Sequence, residues 1–437
     1  MPYQFLILRR MIFCVIVLSM LGGSPQVSRR TVYLAVAPLE VSLPFYGRMT
    51  DGINRLVVTS NKDSEWVIKK VGLDAEEGLF LVEFLAPPPP LVGEQYRMGR
   101  IVALKARSIE EADYSISASG EHVHAIAVGS ELFVSDSTIE NSRIENPRKV
   151  TVPDFSIVGS NTPEHRLVLP DLPLEEIQRN LEEFTGAVST TIGGVEVLLG
   201  ERKSILGREK ARAWLSERYQ ALGMNVSIHD YGGGRNFVAE KPGRDPSRVL
   251  IVSSHYDTVS TAGADDDGAG TISALAVATS LANEDTIPSI RFVAFDQEEI
   301  GLLGSQAYAK KMKDAGEISR LEGVINLEMT GFDRDNDGAF HTIDCNENSS
   351  ATLSNALMRF IEATGLALHR IEACTNRSDH ASFWTYDRPA IVVSQNFFGG
   401  DSNPCYHRSC DTTEKMNWVY FHKVTQASAG LVRQLAL

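Results

Sequence analysis

Hydrophobic and polar residues follow two different patterns along the chain, and the change falls near residue 170. From residue 30 to about residue 165 the apolar runs are short, and Gly, Asp, Asn, Ser and Pro separate them. Runs of this kind, such as RLVVTS and RIVALKA, are typical of β-strands joined by turns. The pattern predicts a β-rich accessory domain or pro-domain over residues 30–168, in which no residue group indicates a particular chemistry.

Longer helical patterns begin after residue 170. LPLEEIQRNLEEFTG and GREKARAWLSERYQALG have the spacing of helices, and from VLIVSSHYD onward apolar strand-like runs alternate with helical ones. Such alternation indicates a mostly parallel or mixed central sheet with helices on both faces. We therefore expect an α/β domain over residues 171–437.

Charge and the first residues narrow the class of protein. The net charge of −14 argues against nucleic acid or an anionic membrane surface as the main partner. Residues 1–24 have the pattern of a secretory signal peptide, because Arg9 and Arg10 precede the apolar run MIFCVIVLSMLGGS. A membrane span needs roughly 20 apolar residues, so an uncleaved anchor is the lesser alternative and no stable membrane insertion is expected after signal removal. The sequence predicts a secreted or periplasmic protein.

The cysteines fit an oxidising compartment. Four of them follow the signal segment: Cys345, Cys374, Cys405 and Cys410. An even number in an exported protein suggests disulfides. Cys405 and Cys410 could close a tight loop, whereas Cys345 and Cys374 would either pair or stay free.

Acidic and histidine side chains follow the ends of the predicted parallel strands. They are His255, Asp257 and Asp266 after VLIVSS, Glu298 and Glu299 after RFVAFDQ, Glu328 in GVINLEM, and His407 and Asp411 after AIVVSQ. Ligands of such sheets gather beyond the carboxyl ends of the strands, so we expect these side chains to converge. Imidazoles and carboxylates together are a ligand set for zinc or another cation. Three consecutive aspartates, Asp265 to Asp267, also exceed what a helix N-terminus needs.

Six short motifs, in order, resemble those of the co-catalytic zinc exopeptidases. They are HYD, GADDDGAG, AFDQEEIGLLGS, INLEMTG, SDHASF and YHRSCDT. That family groups bacterial leucyl-type aminopeptidases, glutamate carboxypeptidase, the glutaminyl cyclases and the non-catalytic transferrin receptor. The resemblance covers roughly residues 171–437 and implies the phosphorylase/hydrolase-like α/β fold of these enzymes.

The resemblance implies two zinc ions and five metal ligands. His255 and Glu328 resemble the ligands of one zinc, Glu299 and His407 resemble those of the other, and Asp266 resembles the carboxylate that bridges both. The family usually has Asp where this chain has Glu328, so we expect the weaker zinc site there.

Three further residues take roles by the same resemblance. Asp257 resembles the carboxylate that orients His255, and Glu298 stands where the family has its general base. Two zinc ions would share a water and lower its pKa, and the resulting hydroxide would attack the peptide carbonyl. Tyr406 is the candidate donor to the oxyanion, and the alternative is a tyrosine that only packs in its loop.

We therefore expect an exported zinc aminopeptidase that releases N-terminal residues from peptides. A glutaminyl cyclase has the same fold with a single zinc, and the complete ligand set argues against it. A glutamate-type carboxypeptidase would need a basic residue for the terminal carboxylate, for which Arg377 is the candidate. Asn376 and Arg377 stand where some bacterial members have a tyrosine. We expect Asp379 and His380 either to shape this loop or to contact the metal ligands, rather than to bind metal themselves. A non-catalytic receptor-like ectodomain would have lost the ligands that this chain retains.

Overall fold

The computed structural model describes residues 168–259 and 262–437, together with eight strands between residues 30 and 127. These strands are β1 (Arg30–Pro38), β2 (Gly47–Thr50), β3 (Asn54–Thr59), β4 (Val67–Leu73), β5 (Gly78–Glu83), β6 (Glu94–Met98), β7 (Ile101–Ala106) and β8 (Ala125–Ala127). They pair antiparallel in two sheets, with the orders β2-β3-β1-β4 and β6-β7-β5-β8. The predicted signal segment and the apolar runs ELFVSD and KVTVPDFSIVG lie outside the described residues.

A mixed eight-stranded sheet forms the centre of the second half of the chain. Its strands are β11 (Asn225–Asp230), β12 (Arg235–Lys241), β13 (Asp245–His255), β14 (Pro288–Phe295), β15 (Leu321–Leu327), β16 (Ala339–Ile343), β17 (His369–Arg370) and β18 (Ala390–Gln395), and a separate hairpin consists of β9 (Thr190–Ile192) and β10 (Val195–Val197). The strand order is β11-β12-β14-β13-β15-β18-β16-β17, and the four strands β14, β13, β15 and β18 run parallel to one another. The predicted mixed sheet is confirmed.

Seven helices cover this sheet among the described residues. They are α1 (Leu174–Phe184), α2 (Ile205–Ala221), α3 (Gly270–Leu281), α4 (Leu303–Asp314), α5 (Ala351–Thr364), α6 (His380–Trp384) and α7 (Trp418–Ala436). Strand β13 shows that both faces are covered. Leu250 and Val252 pack with residues of α1, α2, α3, α5 and α7, whereas Val249 and Ile251 pack with residues of α4 and α6. Because β13 is buried on both faces, its sequence is a continuous apolar run, as is usual in parallel sheets.

Local sequence explains several helix boundaries and contacts. Ser204 caps α2 by accepting a hydrogen bond from the amide of Gly207, and Asn417 caps α7 in the same way. Helix α3 is buried nearly all round, which fits its Ala-rich sequence. A side chain at Gly430 of α7 would collide with the ring of Phe360, so glycine there permits the close approach of α5.

The carboxyl ends of the four parallel strands meet at one edge of the sheet, where the loops carrying the predicted site residues begin. Two disulfides join loops of this half of the chain, Cys345–Cys374 and Cys405–Cys410. The second pairing confirms the predicted tight loop, and the first resolves the alternative that the sequence left open. In the part of the chain that the structure describes, no helix has both the length and the apolar character that crossing a membrane requires.

Candidate metal and catalytic site

His255 is the last residue of β13 and its imidazole is 1% exposed. Its Nε2 lies 3.2 Å from Oδ1 of Asp266 and 3.3 Å from Oε1 of Glu328. Its Nδ1 lies 3.2 Å from the backbone carbonyl oxygen of Asp257 and 3.5 Å from Oδ1 of the same residue. An Nδ1 hydrogen donated to Asp257 fixes the tautomer and leaves the Nε2 lone pair directed toward the two carboxylates.

His407 forms a second group of the same kind on the other side of Asp266. Its Nε2 lies 3.1 Å from Oδ2 of Asp266 and 3.0 Å from Oε2 of Glu299. Each oxygen of the Asp266 carboxylate therefore contacts a different histidine. This is the arrangement expected of a carboxylate that bridges two cations.

The donor atoms fit a metal centre better than a network of hydrogen bonds. Oδ2 of Asp266 and Oε2 of Glu299 are buried and have no hydrogen-bonding partner, although each lies close to His407. The ligand atoms of His255, Asp266 and Glu299 lie within 4.8 Å of one another, as do those of His255, Glu298 and Glu328. Buried lone pairs that converge in this way favour a metal ion or protons on the histidines, and nitrogen and carboxylate ligands are those that zinc takes.

Asp267 explains part of the three-aspartate sequence. Its carboxylate accepts hydrogen bonds from the backbone amides of His255 (3.1 Å), Met329 (3.0 Å) and Gly270 (2.9 Å). These bonds join the loop to the ends of β13 and β15 and to the start of α3. A side chain at Gly270 would lie 2.1 Å from the carbonyl oxygen of Leu327, so only glycine permits this packing. The peptide bond between Asp266 and Asp267 is cis.

Asp265 anchors the same loop on its other side. Its carboxylate accepts bonds from the amide of Gly331 (3.0 Å), from Gln395 (2.9 Å) and from Asn403 (3.0 Å). The loop of Asp266 is thereby attached to the end of β18 and to the segment that leads to His407. The two flanking aspartates are buried, and they position the middle one.

Two residues to which the sequence assigned no role also hold this loop. Asp411 accepts from the amides of Asp265 (3.0 Å) and Asp266 (3.1 Å). Arg202 is fully buried and donates to five backbone carbonyl oxygens, of which those of Tyr256 (2.7 Å), Ala262 (2.6 Å) and Gly263 (2.8 Å) lie after β13. Burial lowers the pKa of Arg202 to about 10, although the nearby aspartates, Asp411 first, oppose this shift.

The sequence grouped Asp411 with the strand-end residues without giving it a role. Nothing in the sequence indicated Arg202, because its loop precedes the first motif by about fifty residues and contains no unusual pattern. The hydrogen bonds it makes are to backbone oxygens, which any residue supplies.

Asp257 fixes the backbone of the two adjacent glutamates, Glu298 and Glu299. Its Oδ1 accepts from the amide of Glu298 at 3.1 Å and its Oδ2 from the amide of Glu299 at 3.3 Å. With the backbone held in this way, the Glu299 carboxylate lies at His407, whereas Oε2 of Glu298 lies 3.9 Å from Nε2 of His255. The two side chains therefore reach different parts of the site, with Glu298 farther from the histidine than Glu328 is.

The charges of these buried groups depend on one another. Burial raises the pKa of Glu298 well above its usual range, and the carboxylates of Glu328, Asp379 and Glu299 raise it further, while His255 opposes the shift. Burial would lower the pKa of His407, but Glu299 and Asp266 outweigh it and raise the value to about 10. The raised pKa values of His255 and His407 favour protonated imidazoles beside these carboxylates when no metal is bound.

A pocket opens beside these groups. Its polar lining includes Asp266, Glu298, Glu299, Glu328, Arg377, Ser378 and Tyr406, and its apolar lining includes Met329, Ile343, Val392, Phe397 and Phe398. The ring of Tyr406 stacks on that of His407 with centroids 3.8 Å apart. The pocket thus combines a chemical centre at one side with an apolar wall that could accept a hydrophobic side chain.

Asp379 and His380 are buried next to the pocket loop, and the Asp379 carboxylate interacts electrostatically with Glu298 and His255. His380 donates through Nε2 to the carbonyl oxygen of Thr375 at 3.0 Å, and its ring packs edge-on against Trp384. Burial lowers its pKa to about 4, so the imidazole is neutral at physiological pH. These contacts are those of a residue that shapes a loop.

Comparisons with known proteins agree with this chemistry. Residues 236–432 match the sequence profile described as Peptidase family M28. The chain is 26% identical over 270 residues to leupeptin-inactivating enzyme 1 of Streptomyces exfoliatus, which covers 57% of this chain and 58% of that protein. It is 26% identical over 276 residues to leucine aminopeptidase 2 of Trichophyton rubrum, and the alignment covers 57% of this chain and 55% of that protein. The chain spans less than two thirds of the length of these curated relatives.

Solved structures show the same fold. The LapA aminopeptidase of Legionella pneumophila superposes with a TM-score of 0.62 at 18% identity, over 82% of this chain and 98% of that one. LapB of the same organism superposes with a TM-score of 0.60 at 16% identity, over 83% of this chain and 100% of the LapB chain. At these identities the similarity concerns the fold.

Proposed function

We propose, because residues 236–432 match the profile of peptidase family M28, that the protein is an exported zinc aminopeptidase that releases N-terminal residues from peptides. One observation carries this proposal: each oxygen of the Asp266 carboxylate lies against a different histidine, within a set of buried carboxylates. The similarity to a leucine aminopeptidase supports the same activity.

The donor set divides into two overlapping groups. His255, Asp266 and Glu328 would hold one zinc ion, and His407, Asp266 and Glu299 would hold the other. Two zinc ions bound there would lower the pKa of a shared water molecule and polarise the peptide carbonyl group. Asp257 positions one ligand directly, through its contact with Nδ1 of His255, and a second through the amide of Glu299.

Glu298 is the general base and acid of this proposal. Its carboxylate is buried at the edge of the metal-binding groups, and its amide is fixed by Asp257. Burial and the neighbouring carboxylates raise its pKa, so it can hold a proton at Oε2 between taking it from water and giving it to the leaving amine. Tyr406 would donate its phenol hydrogen to the carbonyl oxygen as negative charge develops there.

Recognition of the free amine follows from the same groups. The α-amine of a peptide would lie near Glu328 and His255, and its carbonyl group would face Tyr406. An N-acetyl group delocalises the nitrogen lone pair into the amide, so that the nitrogen can neither bind a metal nor carry a proton, and it adds bulk beside Glu328 and His255. Aminoacyl substrates with a free amine are therefore the expected class.

We also propose the organisation that the sequence predicts. Residues 1–24 would be a signal peptide, residues 30–168 an accessory domain or pro-domain, and residues 171–437 the catalytic domain. The two disulfides suit an oxidising compartment outside the cytoplasm.

A panel of matched substrates tests the function. The purified, zinc-loaded protein should cleave leucyl anilide and leave N-acetyl-leucyl anilide almost untouched. Chelation should abolish cleavage and added zinc should restore it. Equal cleavage of both anilides would contradict the proposal. Release of a C-terminal acidic residue alone would identify a carboxypeptidase, and cyclisation of N-terminal glutamine without cleavage would identify a cyclase.

A further inference from the structure

Arg377 contributes a guanidinium group to the wall of the pocket beside the metal-binding groups. Within residues 168–259 and 262–437 the structure pairs this guanidinium with no aspartate or glutamate. Its contact across the pocket is with Tyr406, whose hydroxyl oxygen lies 3.5 Å from Nη2. Arginine side chains in such positions are usually paired with a carboxylate, so the use of this one requires an explanation.

The chemistry of the two groups fixes the direction of the hydrogen bond. A guanidinium has only donors, so Nη2 of Arg377 donates and the oxygen of Tyr406 accepts. The phenol hydrogen cannot return to the arginine and must be directed elsewhere. Among the residues described, that hydrogen has no acceptor.

Ring packing restricts where the hydroxyl can lie. The Tyr406 ring stacks on His407 with a centroid distance of 3.8 Å, and the edge of Phe397 meets it at 5.2 Å. The disulfide between Cys405 and Cys410 encloses both Tyr406 and His407 in one short loop. The phenol is therefore held in place before substrate arrives, and the arginine acts on a group of fixed position.

We propose that Arg377 is a positioning residue for Tyr406, which directs the phenol hydrogen toward the carbonyl oxygen of a bound peptide and strengthens it as a donor. The proposal rests on the proposed peptidase function. A donor that is already oriented stabilises the developing oxyanion without reorganisation during the reaction. A positive charge beside the phenol increases the polarity of its O–H bond, so the hydrogen bond to the oxyanion gains strength when negative charge appears.

Recognition of a substrate carboxylate is the competing use of this arginine. The most effective carboxylate contact of arginine is bidentate and uses two donors on one side of the guanidinium. Nε of Arg377 is enclosed by the protein and has no hydrogen-bonding partner, so a carboxylate in the pocket cannot use the side that includes it. The contact with Tyr406 is already formed, and we therefore favour the positioning role.

A double-mutant cycle on Arg377 and Tyr406 tests the proposal, with leucyl anilide as substrate and zinc-loaded protein throughout. Tyr406→Phe should lower kcat by about 10²–10³, as the loss of one oxyanion donor does. Arg377→Met should lower kcat by about tenfold with KM nearly unchanged, and Arg377→Lys should recover part of that loss. The double variant should be no slower than Tyr406→Phe alone, because the arginine acts only through the phenol.

Two controls separate this role from a structural one. Zinc content and melting temperature should be the same in Arg377→Met and in the unmodified protein. Arg244→Met removes an exposed arginine at the opposite end of β13 and should leave kcat unchanged. A full further tenfold loss in the double variant would overturn the proposal. So would a rise of KM in Arg377→Met that affects leucyl dipeptides but spares their C-terminal amides, since that identifies a carboxylate subsite.

A binding measurement keeps the test independent of turnover. The phosphonic acid analogue of leucine has tetrahedral oxygens like those of the reaction intermediate, and calorimetry measures its affinity for the zinc-loaded protein. Both single variants should bind it more weakly, and the double variant should bind it no more weakly than Tyr406→Phe. Independent losses would refute the positioning role even if leucyl anilide were not cleaved, whereas absence of cleavage by the unmodified protein would refute the proposed function alone.

Discussion

The hydroxyl group of Ser378 donates a hydrogen bond of 2.6 Å to Oε2 of Glu328. The oxygen of Ser378 in turn accepts from the side-chain amide of Asn326 at 2.8 Å, and Asn326 accepts from Ser253 at 2.8 Å. One oxygen of Glu328 is therefore held by a chain of buried side chains that begins on β13. The other, Oε1, remains directed at His255. Ser378 therefore orients the carboxylate of Glu328.

Removal of that partner should weaken one zinc site. Ser378→Ala leaves Glu328 free to turn, so we expect the affinity of the His255–Glu328 site to fall by about tenfold while the second site is unchanged. Stepwise chelation followed by metal analysis measures both. Ser382→Ala removes a buried hydroxyl that contacts Ser305 instead, and it is the matched control. Equal zinc loss in both variants would show that Ser378 has no specific effect.

Replacing Glu328 by the shorter aspartate gives a second test of whether Ser378 supports this zinc site. Glu328→Asp introduces the residue usual in the family, but its oxygens cannot reach both Ser378 and the vicinity of His255. We therefore expect zinc to be held less tightly than in the unmodified protein. If chelation instead removes zinc more slowly from the variant, the predicted weakness of the Glu328 site is correct and the serine does not compensate for it.

Glu298→Gln separates the general base from the ligands. The amide keeps the size of the side chain and removes its capacity to accept a proton from water. We expect kcat for leucyl anilide to fall by about 10²–10⁴ with two zinc ions retained. The same change at Glu299, a proposed ligand, should reduce zinc content. Loss of metal from the Glu298 variant and retention in the Glu299 variant would reverse the two roles.

Zinc binding should release protons, because the metal-free site holds them. The pKa of His407 is raised to about 10 by Glu299 and Asp266, against the effect of burial, so its imidazole is protonated at pH 7. Zinc must displace this proton, and the apparent affinity should therefore rise as pH increases from 6 to 9. Calorimetric titrations in buffers of different ionisation enthalpy count the protons. An affinity independent of pH, with no proton released, would show that the histidines are neutral before metal arrives.

The two disulfides should have different effects when removed. In the loop-closure description, Cys345–Cys374, with a separation of 29 residues, contributes about 3–4 kcal/mol to the free energy of unfolding, and Cys405–Cys410, with a separation of 5, about 2 kcal/mol. Only the second encloses His407, so Cys405→Ser/Cys410→Ser should accelerate zinc loss to a chelator more than Cys345→Ser/Cys374→Ser does. Denaturant unfolding and chelation rates measure the two effects. The reverse order of zinc loss would exclude a specific role for the short loop.

The sequence predicted the convergence of the site because parallel strands bring their carboxyl ends to one edge. His255 ends β13 and Glu328 follows β15, so their proximity follows from strand pairing alone. Tertiary contacts were not predictable in this way. Ser378 reaches Glu328 from a loop fifty residues later in the chain, and no local pattern indicates that contact.

Short elements were also missed. Strand β16 was not expected, because the polar residues His341 and Thr342 interrupt the short apolar run AFHTI, and it is stabilised by pairing with β18. The two-residue strand β17 exists through its pairing with β16. In both cases the neighbouring strand, rather than local propensity, determines the structure.

The buried guanidinium of Arg202 sets a lower limit on the part of the chain that can work as an independent enzyme. The family profile begins at residue 236, yet three carbonyl oxygens on the loops after β13 depend on a donor at position 202. Helix α1 likewise supplies Leu181 and Phe184 to the core shared with α3. A protein trimmed to the profile would expose that core and leave those oxygens unsatisfied. The segment that the family profile matches is therefore smaller than the unit we expect to fold, and expression boundaries should begin near residue 171.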